Sequence, residues 1–514
     1  MYPGTHAATA PDQVAALMLD TGESLTYGRL EEQSVRLANV LREAGLGRGD
    51  VVALLTDNDL RAFEIFWAAL RTGCYITSIN HHLSPEEVAY IVDDSGATAL
   101  IVSANKAETA EKVLPNVPRI ALKLAFNGRV AGFEPYEEAL AAASDVAPED
   151  QPHGMPMLYS SGTTGRPKGV RPALPDAQIT EVGDPMMGLL VKSFGMSPQT
   201  VYLSPAPLYH AAPLRWCAAV QAAGGTVLVQ RRFDAEGCLA AIAEHKVTHA
   251  QFVPTMFVRM LQLPALVRES YDLSSLKLAV HAAAPCPVEV KQKMIEWWGP
   301  ILVEYYGATE GNTMTMVDSA SWLAKPGTVG KPAIGVLHIC ADDGTELPTG
   351  ETGLVFVERE AVVFVYHNDP EKTRAAQHPD HENWSTLGDI GHLDEDGFLF
   401  LTDRKAFTII SGGVNIYPQE TEDALALHPA VHDVAVIGLP DPEMGERVVA
   451  FVQPSPGTAT GSELEAALIG FVKARIASYK APKEVRFVDS LPRTETGKLV
   501  KGELKKAVLA ADGS

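Results

Sequence analysis

Short apolar runs alternate with longer, alanine-rich segments over the first 300 residues, and this alternation limits the fold most strongly. The runs have the length and composition of β-strands, and the longer segments are typical of helices. Strands that are apolar along their whole length indicate parallel sheets covered on both faces. The pattern therefore predicts an α/β fold with largely parallel sheets. The strand-like runs are 51–55, 98–102, 226–230 and 277–282, and the helix-like segments include Leu30–Ala44, Ala62–Thr72 and Ala235–His245.

The pattern changes near residue 330, where turn clusters such as DDG and PTGETG separate short strands. Such spacing predicts antiparallel hairpins and a β-rich subdomain at about 325–404. A further mixture of helices and strands follows and is long enough for a separate small domain. We therefore expect a large N-terminal domain at 1–404 and a small, mobile α+β domain at 405–514, joined by a tight hinge.

Size and charge exclude several classes of protein. The chain has 514 residues, 46% of them hydrophobic, and a formal net charge of −22 from 42 basic and 64 acidic residues. This acidic balance argues against binding to nucleic acid. The N-terminus lacks a basic segment followed by an apolar one, and no apolar run is long enough to span a bilayer. The five scattered cysteines are typical of reduced thiols, so we expect a cytoplasmic protein.

The segment YSSGTTGRPKGV, residues 159–170, combines glycines, hydroxyl side chains and Lys168 with no acidic residue. Successive backbone N–H groups in a glycine-rich turn form a concavity that binds anions. The spacing differs from a Walker A loop, and neither GxSxG nor SxxK occurs in the segment. Two interpretations stay open from these residues: a solvated polar turn, or a phosphate-binding loop of another kind.

Three later segments carry further polar groups. EYYGATEG (304–311) offers aromatic rings for a base and an oxygen ligand suited to Mg²⁺. Residues 385–418 hold Asp389 after a glycine, where a carboxylate is able to bind a ribose diol. LPRTETGKLVKGELKK (491–506) places Lys498 in a turn, whereas we expect Lys501 and the lysines after it to be solvated.

Five segments follow one another along the chain: YSSGTTGRPKG, YYGATEG, GD, DR before IISGGVNIYP, and PRTETGK. In this order they resemble the motifs of the adenylate-forming superfamily, in its acyl-CoA synthetase and fatty-acid–CoA ligase branch. The resemblance covers nearly the whole chain. It implies that a carboxylic acid reacts with ATP to give acyl-AMP and pyrophosphate, after which the acyl group passes to CoA. ATP, Mg²⁺ and CoA are the cofactors and co-substrates that it implies.

The resemblance also implies residue roles. The glycine-rich loop would hold the β- and γ-phosphates, Tyr306 would stack on adenine beside the backbone of 283–285, and Asp389 with Arg404 would hold the ribose. Catalytic roles fall to Lys498, Glu310 and Thr163, with Glu310 also at the metal. The full set of cofactor-binding positions is Ser161, Thr163, Thr164, Gly165, Lys168, Ala284, Tyr306, Gly307, Thr309, Glu310, Asp389, Arg404, Lys498, and Gly412 and Gly413 at the pantetheine channel.

Three segments depart from the family pattern. Ala406 stands at the hinge, where the family usually has Asp or Lys, and HAAAP (281–285) has alanines where the family usually has two glycines. We expect the added methyl groups to narrow the pocket there. Arg171 and Pro172 are unusual after the loop, so we expect 171–200 to form an extended lid.

PLYHAAPL (207–214) matches the position at which acid pockets of the family begin, so Tyr209 and His210 are expected to shape the pocket or gate it, and a purely structural role for His210 stays open. No Asp is present there to bind an amino group. The neighbouring stretches LRWCAAVQAAGG and VPTMFVRMLQL are read as apolar, which favours a fatty, sterol-type or other ring-bearing acid. Two alternatives remain open: an adenylating enzyme that loads a carrier protein, and a catalytically silent nucleotide sensor. The sequence also leaves a homodimer open.

Overall fold

A computed structural model describes residues 2–160, 167–181, 184–412, 414–493 and 499–512. Within these residues, no helix is both long and apolar enough to cross a membrane. The chain is mixed α/β, as predicted, with a large N-terminal part and a small C-terminal part.

The first sheet has six strands that all run parallel. The predicted strand Val51–Leu55 is confirmed, and all five of its residues are buried, as expected of a strand covered on both faces. In spatial order the strands are Glu134–Pro135, Leu122–Phe126, Ala99–Ser103, Val51–Leu55, Tyr75–Ile79 and Met155–Pro156. The helices of this region are Tyr27–Glu43, Arg61–Arg71, Pro85–Asp94, Ala107–Val113 and Tyr136–Ala142, with 3₁₀ turns at Ala104–Lys106 and Leu114–Asn116.

The second sheet has nine strands, and its central strands are parallel while both edges are antiparallel. In spatial order they are Lys331–Ile334, Met314–Asp318, Leu302–Gly307, Leu278–His281, His249–Phe252, Val201–Ser204, Thr226–Val229, Val14–Met18 and Ser24–Thr26. The accompanying helices are Pro3–Ala7, Pro185–Ser193, Ala211–Ala222, Ala235–His245, Pro254–Leu261, Ala265–Glu269, Val288–Trp298 and Ser319–Ala324.

One hydrophobic core joins the two sheets. It includes Leu54 from the six-stranded sheet, Tyr202 from the nine-stranded sheet and Phe66 from the helix Arg61–Arg71. That helix is buried at all but its first residue, because it packs on every side. Across the junction, the Trp67 indole N–H donates a hydrogen bond of 2.8 Å to the Gln221 side chain. The two sheets therefore share one packed core.

The β-rich subdomain is an antiparallel four-stranded sheet, which confirms the predicted hairpins. Its strands are Val336–Cys340, Gly353–Glu358, Trp384–Leu393 and Leu399–Arg404, with a helix at Pro370–Ala375. The register places Asp389 opposite Arg404. The predicted domain boundary falls where the last strand ends and the 3₁₀ turn Lys405–Phe407 begins.

The C-terminal part has its own five-stranded sheet and its own core, which suits a separate small domain. Lys501 is buried there and lies 2.9 Å from the Glu422 carboxylate, so the expectation of a solvated Lys501 is wrong. The helix that begins at this lysine packs its first turn onto the buried carboxylate. The strands are Ile409–Ser411, Val414–Ile416, Val431–Asp441, Gly445–Pro454 and Glu484–Phe487, and the helices are Pro418–Ala426, Ser462–Lys473 and Lys501–Ala511, with a 3₁₀ turn at Ser478–Lys480.

The predicted glycine-rich loop joins two short antiparallel strands, Leu158–Ser160 and Lys168–Val170. Beyond the hairpin, the Arg171 guanidinium stacks on the Tyr75 ring at 4.6 Å, and the Tyr75 hydroxyl donates to the Pro172 carbonyl at 2.7 Å. The helix Pro185–Ser193 packs against the helix Ala211–Ala222. The described part of 171–200 is therefore built into the wall of the large domain, rather than forming a lid.

Candidate functional site

A cavity of about 330 Å³ opens at the carboxyl ends of strands from both sheets. Ligands of open α/β sheets bind in such crevices, because neighbouring strand ends leave loops on either side. Its lining includes Ser78, Phe252, Ala282 and Gly307, each at or just after the end of a parallel strand, and Lys168 from the hairpin. The sequence motifs from distant parts of the chain thus meet at one edge.

A second cavity of about 390 Å³ lies elsewhere, between Arg42, Arg48 and Asp150. It is open and polar, and none of the predicted site residues lines it. The 390 Å³ cavity is therefore a weaker candidate for the functional site than the 330 Å³ cavity, although it is larger.

Tyr306, Asp389 and Arg404 form one hydrogen-bonded group. The Tyr306 hydroxyl donates to Asp389 Oδ2 at 2.6 Å, and Arg404 Nε donates to Asp389 Oδ1 at 2.9 Å. Burial, followed by the negative charge of Asp389, raises the pKa of Tyr306 well above its usual value, so its proton stays on the phenol. The same carboxylate raises the pKa of Arg404. The structure thus brings these three predicted residues together around a buried, charged acceptor.

Glu310, Tyr366 and Lys168 form a second group on the cavity wall. The Tyr366 hydroxyl donates to Glu310 Oε1 at 2.9 Å, and the Lys168 ammonium lies 4.8 Å from the centre of the Tyr366 ring. Burial, followed by the charge of Lys372, lowers the pKa of Lys168. Tyr366 was missed by sequence analysis, which assigned no role to the turn residues HNDP that follow it. Its backbone bridges to Val170, which brings it beside the hairpin.

Glu310 is the single carboxylate among the described residues that line the cavity. Mg²⁺ commonly binds through one or two carboxylates while substrate phosphates and waters complete its shell. Among the described residues, Glu310 Oε2 accepts no hydrogen bond, and its place on the cavity wall with Lys168 fits that donor set. Within the described ranges, no group of three or more His, Cys, Asp or Glu residues is placed to hold a metal without a substrate.

Gly307 and Thr309 line the cavity as predicted positions, whereas Ala284 does not. Its neighbours Ala282 and Ala283 provide that part of the wall instead. Ala283 has φ of +77°, a left-handed conformation that glycine adopts more readily than alanine. The HAAAP segment therefore keeps a glycine-like backbone and adds methyl groups to the cavity wall.

Tyr209 and His210 line the cavity, and their rings are tilted by 42° with centres 4.3 Å apart. The ring of His81 meets Tyr209 edge-on at 5.3 Å. Burial is the main cause that lowers the pKa of His81 to about 3, so this ring is neutral near pH 7. The two predicted pocket residues thus stand in a cluster with a histidine that sequence analysis did not identify.

The remaining wall is aromatic. Trp216 stacks on Tyr305 with ring centres 6.4 Å apart, and Gln251 Nε2 donates to the Tyr305 hydroxyl at 2.8 Å. Arg215 also lines this wall. It stands inside LRWCAAVQAAGG, the stretch that was read as apolar, so that interpretation is incomplete. The sequence did contain a signal for this residue, because Arg215 is the single cation within an otherwise mostly apolar helix.

Below the strand Leu302–Gly307, a buried ion pair supports the site. Lys291 Nζ lies 2.6 Å from Glu304 Oε2, and both side chains are almost fully buried. The lysine also lies 4.8 Å from the Trp322 ring centre. Burial lowers the pKa of Lys291, and the facing carboxylate works against that change. The pair fixes the strand that carries Tyr305 and Tyr306.

Several predicted residues fall outside the described ranges. Gly412 is described: its φ is +59° and its N–H donates to the Met444 carbonyl at 2.8 Å, away from the cavity lining. Arg493 and Leu499, which flank the segment containing Lys498 in the sequence, form an antiparallel bridge. The residues whose predicted roles lie outside the described part are Ser161, Thr163, Thr164, Gly165, Gly413 and Lys498.

Comparison with known proteins places this geometry in a family. The AMP-binding enzyme profile matches residues 4–367, and the AMP-binding enzyme C-terminal domain profile matches residues 420–498. Feruloyl-CoA synthase of an Amycolatopsis species is 34% identical, with 98% of each chain covered. The fatty acid–[acyl-carrier-protein] ligase ScoC of Streptomyces coeruleorubidus is 31% identical over 97% of this chain and 94% of that one.

A solved structure shows the same arrangement. ATP-bound MatB from Rhodopseudomonas palustris superposes with a TM-score of 0.82 and 28% identity, covering 99% of both chains. Both profiles, the full-length relatives and the superposition agree with the motif order. The chain therefore belongs to the AMP-binding enzyme family, the adenylate-forming superfamily, in its acid–thiol ligase branch.

Proposed function

We propose that the protein is an ATP-dependent acyl-CoA synthetase that activates an apolar carboxylic acid. In the first step a carboxylate oxygen attacks the α-phosphorus of ATP, which forms acyl-AMP and releases pyrophosphate. In the second step the CoA thiol attacks the acyl carbon, which releases AMP. The observation that carries the proposal is one cavity lined by Arg404 of the first hydrogen-bonded group, by all three residues of the second group and by the aromatic wall.

The nucleotide side of the cavity suits ATP. Asp389 uses one lone pair on each oxygen for Tyr306 and Arg404, so two further lone pairs are available for a ribose diol. The Tyr306 ring then faces the base. Lys168 and the glycine-rich loop meet the β- and γ-phosphates, and Thr309 the α-phosphate. Mg²⁺ at Glu310, when bound, supplies positive charge to the phosphates.

The adenylation step brings two anions together, so it depends on positive charge aimed at the transition state. Lys498 has this role by its motif, between the acid carboxylate and the α-phosphate. The C-terminal domain that carries it then rotates, and Gly412 with Gly413 borders the path of pantetheine. Ala406 lies in the 3₁₀ turn between the domains, and a small residue at a hinge is able to absorb the backbone change.

An apolar acid suits the remaining wall. Trp216, Phe252 and Tyr305 offer aromatic faces, and Tyr209 and His210 also line the cavity. The relative that acts on ferulate, an aromatic acid, supports a ring-bearing substrate as readily as a fatty acid.

The direct test is pyrophosphate release over a panel of fatty and aromatic acids, with and without CoA. We expect acid-dependent release and an acyl-CoA product that needs all three substrates. The proposal fails if no acid of the panel yields an acyl-CoA. A carrier-protein acceptor is the second candidate, favoured by the similarity to ScoC, and it predicts an acylated carrier with no acyl-CoA.

A further inference from the structure

Arg215 is the one cation on the aromatic wall of the cavity, in the described part of the chain. It projects from the helix Ala211–Ala222, next to Trp216. Its Nε is buried and has no hydrogen-bond partner, and no described carboxylate lies within ion-pair distance of the guanidinium. The guanidinium therefore lines the cavity without an acceptor among the described residues.

Some low-exposure arginines of this chain have carboxylate partners, whereas Arg268 lies over an aromatic ring instead. Arg71 is fully buried and lies 2.7 Å from Glu31, and Arg404 pairs with Asp389. Removing a charge from water without such a partner is costly, so an unpaired guanidinium in a cavity wall indicates a missing acceptor. Glu310 does not fill this place, because it accepts from Tyr366 and makes no ion pair with Arg215 among the described residues.

The strand Leu302–Gly307 places Arg215 on the acid side. Successive side chains of a strand point to opposite faces, so Tyr305 and Tyr306 face opposite ways. Tyr306 meets Asp389, whereas Tyr305 meets Trp216 and Gln251. Arg215 precedes Trp216 on the helix Ala211–Ala222 and lines the same cavity as Tyr305. Arg215 thus belongs to the wall away from the proposed nucleotide.

We propose that Arg215 is a specificity residue that binds an oxygen acceptor on the acid, at a position remote from the reacting carboxylate. The inference rests on the proposed function and deepens it: the substrate has an apolar body and a second oxygen group. A carboxylate gives the strongest interaction, because a guanidinium binds it through two parallel hydrogen bonds. A ketone accepts one or two such bonds without charge.

The test uses 3-phenylpropanoic acid and its ring-substituted carboxy and acetyl derivatives. Binding of each acid to the full chain is measured by titration calorimetry, and turnover by pyrophosphate release. We expect at least one derivative to bind wild type ten or more times more tightly than the parent acid. Arg215→Met should reduce that ratio to threefold or less and leave the parent acid bound as well as before. The carboxy and acetyl derivatives distinguish an anionic from a neutral acceptor.

Arg268→Met is a matched control. The Nε of Arg268 is also buried without a partner, but its guanidinium lies 5.3 Å from the Trp297 ring and does not line the cavity. This variant should keep the wild-type ratio. The inference is overturned if wild type prefers the parent acid, or if Arg215→Met keeps the preference. If the protein turns over the acids but does not distinguish the derivatives from the parent acid, the role of Arg215 is refuted and the ligase activity is not. If it binds a derivative more tightly than the parent acid but turns over neither, the proposed ligase activity is refuted and the role of Arg215 is not.

Discussion

Asp389 offers the sharpest test of the nucleotide side of the site. Asp389→Asn removes the negative charge that accepts from Tyr306 at 2.6 Å and from Arg404 at 2.9 Å. If its free lone pairs bind the ribose diol, the variant also loses charge-assisted hydrogen bonds to ATP. Such a bond contributes about 1.5–3 kcal/mol, which corresponds to roughly a 10- to 150-fold loss of kcat/KM.

The ligand side of the same contact is removed with 2′,3′-dideoxy-ATP, which lacks both ribose hydroxyls. Pyrophosphate release is measured for both proteins with both nucleotides, and the four values form a double-mutant cycle. Wild type should lose about 10- to 150-fold with the dideoxy nucleotide. The kcat/KM of Asp389→Asn should fall by less than about threefold when 2′,3′-dideoxy-ATP replaces ATP, because the charge-assisted bond is already absent in this variant.

A second variant separates the carboxylate from its support. Tyr306→Phe removes the phenol that donates to Asp389 but keeps the carboxylate, so it should stay sensitive to loss of the ribose hydroxyls. The Arg404 side chain is about a third exposed (34%), so water is able to solvate its guanidinium in Asp389→Asn and the fold should survive. If the dideoxy nucleotide lowers kcat/KM by the same factor in Asp389→Asn as in wild type, the contact between Asp389 and the ribose is refuted.

Three further variants test other parts of the molecule. Lys498→Ala should lower acyl-AMP formation by roughly 100- to 1000-fold yet still convert supplied acyl-AMP to thioester, whereas Lys506→Ala, at an exposed lysine, should change neither step; equal loss in both steps would argue against a separate adenylation role. Lys291→Met should lower the free energy of unfolding by about 3–5 kcal/mol in denaturant titration, because it leaves a buried carboxylate unpaired; a loss below about 1 kcal/mol would contradict this. Ala283→Gly should raise that free energy by about 0.5–1 kcal/mol, since the left-handed backbone penalises alanine, while Ala282→Gly should lower it.

The sequence predicted the layers of this fold well, for a physical reason. A strand such as Val51–Leu55, buried at every residue, must be apolar throughout, and the sequence shows that directly. The motifs also identified Tyr306, Asp389 and Arg404, which the structure brings into one hydrogen-bonded group. The motif order carried that prediction, because no local pattern connects residues 83 positions apart.

The residues that sequence analysis missed reach the site through contacts with residues that are distant in the sequence. Tyr366 reaches Glu310 because its backbone pairs with Val170, and His81 reaches Tyr209 from the loop after a strand. Arg215 was hidden within an apolar helix, and its meaning depends on what surrounds the guanidinium in space.

The most direct measurement of the central claim follows oxygen through the reaction. An accepted acid is labelled with ¹⁸O at both carboxylate oxygens and incubated with enzyme, ATP, Mg²⁺ and CoA. Since the attacking carboxylate oxygen becomes the bridge of acyl-AMP and leaves with the phosphate, mass spectrometry should find one ¹⁸O in AMP and none in pyrophosphate. Unlabelled AMP, or label in pyrophosphate, would contradict the formation of an acyl-adenylate by this protein.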